Sequence, residues 1–256
     1  MSYLFQDTER AARRLHVVAN VFAFSSRPFL HAAVGAAPEV VIDLGCGPGY
    51  TTRLLVEVTQ CAQAIGLDSS ERFLSQARSN APAHLSFVRH DVTEIPFPTG
   101  QGDLIFCRLL LTHLQDPLAV LDRWGTQLRP GGFLLVEEVE WIRTEHPLLC
   151  QYLEIQAALL RQQANELYIG PLLARHQVGE GLRCSLSRVY QLPVSTAQAA
   201  AMFSMNLPSW KHHPFVQQYY GRIIDQLERD LQALANHAIS EGENVWGMRQ
   251  LAYART

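Results

Sequence analysis

The segment Val40-Val41-Ile42-Asp43-Leu44-Gly45-Cys46-Gly47-Pro48-Gly49 constrains this chain of 256 residues more than any other. An apolar, β-branched run reads as a strand buried in a parallel sheet. Glycines directly after it permit a tight turn and a close backbone approach to a ligand at the start of the following helix. Ala64-Ile65-Gly66-Leu67-Asp68 is a second short apolar strand ending in an acid. It lies about 20 residues beyond the glycines, where nucleotide-binding folds place the carboxylate for ribose hydroxyls. The glycine spacing is Gly45-x-Gly47-x-Gly49 and departs from G-x-G-x-x-G, so a nicotinamide dinucleotide is the weaker expectation.

Further motifs follow in order. Phe87-Val88-Arg89-His90-Asp91-Val92 reads as a third strand with its terminal acid, and Ile95-Pro96-Phe97-Pro98 as the loop after it. Asp103 to Arg108 reads as a fourth strand, continued by Leu111-Thr112-His113-Leu114-Gln115-Asp116-Pro117, and Leu128 to Glu138 as a turn and fifth strand. From residue 40 to about 140 the chain resembles the class I S-adenosylmethionine-dependent methyltransferases, small-molecule type. The resemblance implies a Rossmann-like, doubly wound α/β fold with a seven-stranded, mostly parallel sheet and helices on both faces. It also implies S-adenosyl-L-methionine as cofactor and S-adenosyl-L-homocysteine as product. The cofactor-binding residues expected from it are Asp43, Gly45, Cys46, Gly47, Gly49, Asp68, Ser69, Asp91, Val92 and Arg108. Gly45 and Gly47 give the backbone approach, Asp68 the ribose partner, and Asp91 with the Val92 backbone the adenine edge. Ser69 stands where the family often has an apolar residue against the adenine.

With 48% hydrophobic and 18% charged residues, the chain has ample material for one globular domain and little tendency to disorder. A formal net charge of -3, with Lys211 as the only lysine and no basic run, argues against a nucleic-acid partner. Five cysteines without a C-x-x-C pair indicate reduced thiols, and neither a zinc ribbon nor a disulfide framework. No metal is expected, since the adjacent His212 and His213 do not present both rings to one ion without further ligands. No apolar stretch reaches membrane length and Met1 to Arg14 lacks the apolar core of a secretory signal, so the expected location is cytoplasmic, without a membrane partner. A homodimer is the assembly left open.

Residues 1–37 read as an N-terminal helical cap: Asp7 as an N-cap, a helix with Leu15, Val18, Ala19 and Phe22 on one face ending before Arg27-Pro28, then a short helix over Phe29 to Val34. Tyr3, Phe5, Arg13 and Arg14 are candidates for contacts over the pocket. Residues 38–140 form the cofactor-binding core. Residues 141–182 read as a substrate lid, with one long helix from Leu148 to Leu167, and residues 183–256 as C-terminal strands and helices. Within these, Leu186 to Leu192 is a sixth strand, Thr196 to Met205 and Phe215 to Asn236 are helices, and Asn244 to Ala254 is a final antiparallel strand. Trp141, Tyr152, Tyr168 and Trp210 are candidates for an apolar acceptor pocket.

Methyl transfer from a sulfonium asks the protein for in-line positioning and exclusion of water. If the acceptor is a hydroxyl, a base must take its proton, and His113 is the best-placed candidate; the alternative is a histidine that ties its helix to a loop. Arg108 can anchor a carboxylate of substrate or cofactor, or serve a structural ion pair with Asp116, Glu137 or Glu138. The absence of Asn-Pro-Pro-Tyr or Asp-Pro-Pro-Tyr after the fourth strand disfavours methylation of a base or glutamine amide. The reading is methyl transfer to a small organic acceptor, O-methylation of a hydroxyl or carboxylate favoured over N- or C-methylation. The alternatives are a protein of this fold that binds S-adenosylmethionine without transferring its methyl group and, third, a nicotinamide oxidoreductase.

Overall fold

The computed structural model describes residues 9–79, 81–236 and 243–256. The strands are β1 (Val40–Leu44), β2 (Gln63–Asp68), β3 (Leu85–Arg89), β4 (Gly102–Arg108), β5 (Leu128–Arg143), β6 (Leu182–Ser195) and β7 (Glu243–Arg255). They form a 7-stranded sheet in the order β3-β2-β1-β4-β5-β7-β6. β1 to β5 pair in parallel, and β7 runs antiparallel between β5 and β6. The strand order reverses between β1 and β4, so the crevice outside their carboxyl ends is the topological switch point where ligands bind in such sheets.

Alternation along the strands covers both faces. Ile42, Leu44, Ile65, Leu67, Ile105, Leu134 and Val136 point to one side, where α4 (Pro117–Gly125) adds Val120, Leu121 and Trp124. Val41, Ala64, Leu104, Phe106 and Leu135 point to the other, covered by α2 (Tyr50–Thr59) and the end of α1 (Glu9–Ala33) through Leu55, Phe29 and Leu30. Parallel strands buried on both faces are why the sequence reads as near-continuous apolar runs. On the first side lies also α6 (Gly170–Arg175), through Leu173. A short helix, α3 (Glu71–Arg78), follows β2.

A third core joins α5 (Pro147–Gln162), α7 (Thr196–Asn206) and α8 (Pro214–Asn236) to β5, β6 and β7. Ser195 starts α7 with a full capping box, its side chain accepting from the Gln198 N–H and the Gln198 side chain accepting from its own.

Three boundaries differ from expectation. α1 continues through Pro28 as one helix to Ala33. An interior proline costs about 3 kcal/mol or more, but Phe29 and Leu30 are fully buried just beyond it. Burial of two such side chains is worth roughly 1.5–3 kcal/mol each, enough to hold the helical path. The expected helix from Leu148 to Leu167 stops at Gln162, where Ala164 takes a left-handed φ of 58° and turns the chain. β5 and β6 run longer than their apolar cores, because β7 pairs with both along their length. The expected N-cap Asp7, and Tyr3 and Phe5, lie outside the described residues. Among the described residues no helix is long and apolar enough to cross a membrane.

Candidate functional site

A cavity of about 1000 Å³ opens at the carboxyl ends of β1, β2 and β4. That is the upper end of the range for small-molecule pockets, about 300–1,000 Å³. Its wall contains Gly45, Cys46, Gly47, Asp68, Ser69, Asp91, Val92, Arg108 and His113, residues from five separate segments of the chain.

The glycine turn is tied to the neighbouring strand. Leu67 carbonyl accepts from the N–H of Gly45 at 2.8 Å and of Cys46 at 3.0 Å. Gly47 N–H then donates to Asp68 Oδ2 at 2.8 Å, and Ser70 N–H to Asp68 Oδ1 at 2.8 Å. Ser70 in turn caps α3 by accepting from the Phe73 N–H at 3.2 Å. One carboxylate therefore fixes the turn after β1 against the turn after β2. Gly49 begins α2 with a left-handed φ of 82°, and a Cβ there would stand 2.8 Å from the Phe87 ring. Its role is packing, and it does not reach the cavity wall. Asp43 does not reach it either: it is buried, and Thr52 Oγ1 donates to its Oδ2 at 2.7 Å. Burial pushes its pKa up to about 7, against the opposing Thr52 bond and the Arg108 charge. Cys46 lines the cavity, but burial pushes its thiol well above the ordinary range, so it stays protonated.

Asp91 Oδ1 accepts from Thr93 N–H at 2.9 Å and from its hydroxyl at 2.7 Å, and these bonds hold the carboxyl below the usual range. Val92 is fixed through its carbonyl, which accepts from Trp124 Nε1 at 2.7 Å. Arg108 donates from Nη1 to Ser26 Oγ at 2.9 Å and from Nη2 to Thr51 Oγ1 at 2.8 Å. Burial lowers its pKa while the charges of Glu137 and Asp43 raise it. Ser26 Oγ also bonds Glu137, whose other oxygen accepts from Gln250 Nε2 at 2.7 Å. Of the three carboxylates considered for a direct ion pair with Arg108, Glu137 is thus reached through a serine.

After Arg108, Leu109 takes a left-handed φ of 54° and the chain enters a single 3-10 turn, Leu111–His113. Leu110 and Leu111 N–H both donate to Glu138 Oε1, at 2.7 Å each. This turn presents Leu109, Leu110, His113 and Leu114 to the cavity. Burial, with the nearby Arg14 charge, lowers the His113 pKa to about 3.

The four aromatic candidates for the acceptor pocket lie elsewhere. Tyr152 and Trp210 are fully buried in the third core, with Tyr152 stacked on Phe203 at 4.0 Å and its hydroxyl accepting from Asn206 Nδ2 at 2.7 Å. Tyr168 packs against the same core. Trp141 is part of β5: its ring occupies the space a Cβ on Gly247 would need, under the Arg143 guanidinium at 4.1 Å. An aromatic at helical or strand spacing is satisfied by a core as readily as by a pocket, and sequence spacing does not separate the two. Of the expected lid contacts, Arg13 is exposed and pairs with Glu9 at 4.0 Å, while Arg14 is buried and donates to Asn206 Oδ1 at 2.6 Å. Thr51 and Ser26 were not anticipated as partners of this site, whereas Glu138, expected beside the strand ends as a partner for Arg108, accepts the Leu110 and Leu111 N–H groups instead. Thr51 and Ser26 meet Arg108 only through the packing of α1 and α2 beside β4.

Residues 42–136 match the family described as "Methyltransferase domain". The chain is similar to trans-aconitate 2-methyltransferase of Methylobacterium nodulans, 40% identical over 102 residues, which is 40% of this chain and 39% of that protein. Similarity to the Acidovorax sp. protein of the same name is 36% over 129 residues, 50% of this chain and 49% of that one. The chain therefore spans half or less of the length of these relatives. Among solved structures, the cyclopropane synthase MmaA2 from Mycobacterium tuberculosis shares the fold with a TM-score of 0.56 at 15% identity, covering 91% of this chain and 84% of that one.

Proposed function

We propose that this chain, which carries a class I S-adenosylmethionine-dependent methyltransferase domain over residues 42–136, binds S-adenosylmethionine in the cavity at the switch point and transfers its methyl group to an oxygen of a small organic acceptor. The observation that carries the reading is one cavity wall formed jointly by the glycine turn, Asp68, Asp91, Val92 and Arg108.

The residues present fit the cofactor. A Cβ on Gly45 would come within 3.0 Å of the Leu110 side chain, so the glycine keeps open the space between turn and loop. Asp68, fixed by its bonds to Gly47 and Ser70, stands in the cavity wall as the carboxylate for the ribose hydroxyls. Asp91 uses Oδ1 locally and keeps Oδ2 for the adenine amino group. Arg108, with hydroxyl partners on both terminal nitrogens, holds its positive charge at the base of α2, suited to the amino-acid carboxylate. When bound, the cofactor supplies an electrophilic methyl group on sulfur. The chain's own contribution is orientation and exclusion of water.

His113 is a poor general base here, since a group with a pKa of about 3 does not hold a transferred proton near neutral pH. Its neutral ring positions the acceptor. The test is incubation with methyl-labelled S-adenosylmethionine and a mixture of small hydroxy and carboxylic acids. Label in an organic-soluble product, with an equal amount of S-adenosylhomocysteine, is the expected result; cofactor that is bound but unspent contradicts transfer.

A further inference from the structure

Among the described residues, two regions outside the α/β core contribute to the cavity wall: α1, through Leu15, Val18 and Ala19, and the end of α5 with its following turn, through Leu160, Gln163 and Asn165. None of the six is charged, and four are apolar. The charged lining residues Asp68, Asp91, Arg108, Asp116 and Arg123 all belong to the core. Arg14, the buried guanidinium of α1, does not line the cavity and donates to Asn206 Oδ1.

Resting on the methyl-transfer reading, we propose that the acceptor is an apolar monocarboxylate, its body against α1 and the end of α5 and its single carboxylate facing the cofactor sulfonium. A carboxylate is ionised near neutral pH and needs no base, which agrees with a His113 held neutral. One carboxylate oxygen forms the new O–CH3 bond with its own electron pair. The C–S bond breaks with its pair remaining on sulfur, so an anion and a sulfonium become a neutral ester and a neutral thioether, and no proton moves.

The charge balance also sets the number of carboxylates. One negative charge is matched by the sulfonium, whereas a second or third, carried on the body of the acceptor, would face no charged side chain among the described residues that line the cavity from α1 and the end of α5; Arg123 lines it from α4, and Arg14 is engaged by Asn206 behind the wall. Trans-aconitate, the acceptor in the name of the curated relatives, carries three. The acceptor of this chain therefore differs from theirs, while the matched segment is confined to about half of the chain or less.

Calorimetric titration tests this on the full chain saturated with sinefungin, an unreactive cofactor analogue with an ammonium in place of the sulfonium. Octanoate and trans-aconitate are the two probes at one ionic strength. Octanoate is expected to bind at least tenfold more tightly, and Val18→Asp to weaken octanoate at least fivefold while sinefungin binding stays within twofold. Equal or tighter binding of trans-aconitate, or no binding of octanoate to the saturated chain, overturns the inference and leaves the cofactor assignment standing. Failure of sinefungin to bind overturns the methyl-transfer reading, and this inference with it.

Discussion

Glu138 Oε1 accepts the Leu110 N–H at 2.7 Å, and through that bond β5 sets the shape of the loop that leaves β4. The same oxygen takes the Leu111 N–H, so a single buried carboxylate caps the 3-10 turn that carries His113. Leu109, immediately before it, holds a left-handed φ of 54°. A non-glycine residue in that region costs about 1–3 kcal/mol and persists where its surroundings over-determine it. The two N–H bonds to Glu138 and the Leu109 N–H bond to Glu137 carbonyl at 3.0 Å are those surroundings.

Glu138→Ala leaves two buried donors without their acceptor, at about 1–3 kcal/mol for each unsatisfied group. The expected loss of stability is about 2–4 kcal/mol by denaturant unfolding. Glu138→Gln keeps an acceptor oxygen at the same place and should recover most of it. Equal losses in both variants would show that the N–H bonds do not hold the turn.

The pH dependence of that residue has a definite sign. Burial raises the Glu138 pKa to about 8, opposed by the two N–H bonds and reinforced by Glu137. The folded state therefore binds more protons than the unfolded state between about pH 4.5 and 8. The contribution of Glu138 to stability is full below the unfolded pKa and is lost as pH rises through the folded one. The stability difference between the parent chain and Glu138→Gln, followed from pH 5 to 9, should change in that direction. A difference independent of pH contradicts the shifted ionisation.

Asp68→Ala removes the carboxylate that joins the two turns and, in the proposed complex, the ribose partner. Hydrogen bonds to a charged group are worth about 1.5–3 kcal/mol, so affinity for S-adenosylhomocysteine should fall roughly tenfold or more. Calorimetry reads it directly. An unchanged affinity removes Asp68 from the cofactor site.

His113 should not appear in the pH profile of turnover. With its pKa lowered to about 3, kcat should show no ionisation between pH 5.5 and 8 that His113→Gln abolishes. A step near the ordinary histidine pKa of about 6.5 that vanishes in the variant would restore His113 as the base.

Trp210→Ala should cost about 3–5 kcal/mol, the usual price of truncating a large core aromatic, and Tyr152→Phe about 1 kcal/mol for its bond to Asn206. Neither residue lines the cavity, so affinity for the cofactor should be unchanged in Tyr152→Phe.

The first five strands were legible because each is a short apolar run bounded by glycine, proline or an acid, and because a parallel sheet buried on both faces imposes that composition. Gly45, Gly47, Asp68, Ser69, Asp91, Val92 and Arg108 come together as strand ends, which chain order and a parallel topology determine. Asp43 shared the motif but lies one layer below the wall, where its carboxyl holds Thr52 of α2. Ser26 and Thr51 were not legible, being 82 and 57 residues from Arg108 and joined to it only by helix packing. Aromatic residues misled because Tyr152 and Trp210 satisfy a second core that the composition of residues 141–256 does not distinguish from a pocket lining.

The most direct measurement is calorimetric titration of the purified chain with S-adenosylmethionine and S-adenosylhomocysteine, with NAD as control. Saturable binding of the first two and none of NAD is the predicted result. Binding of NAD alone, or of none of the three, would contradict the assignment of the glycine turn, Asp68 and Asp91 to an S-adenosylmethionine site.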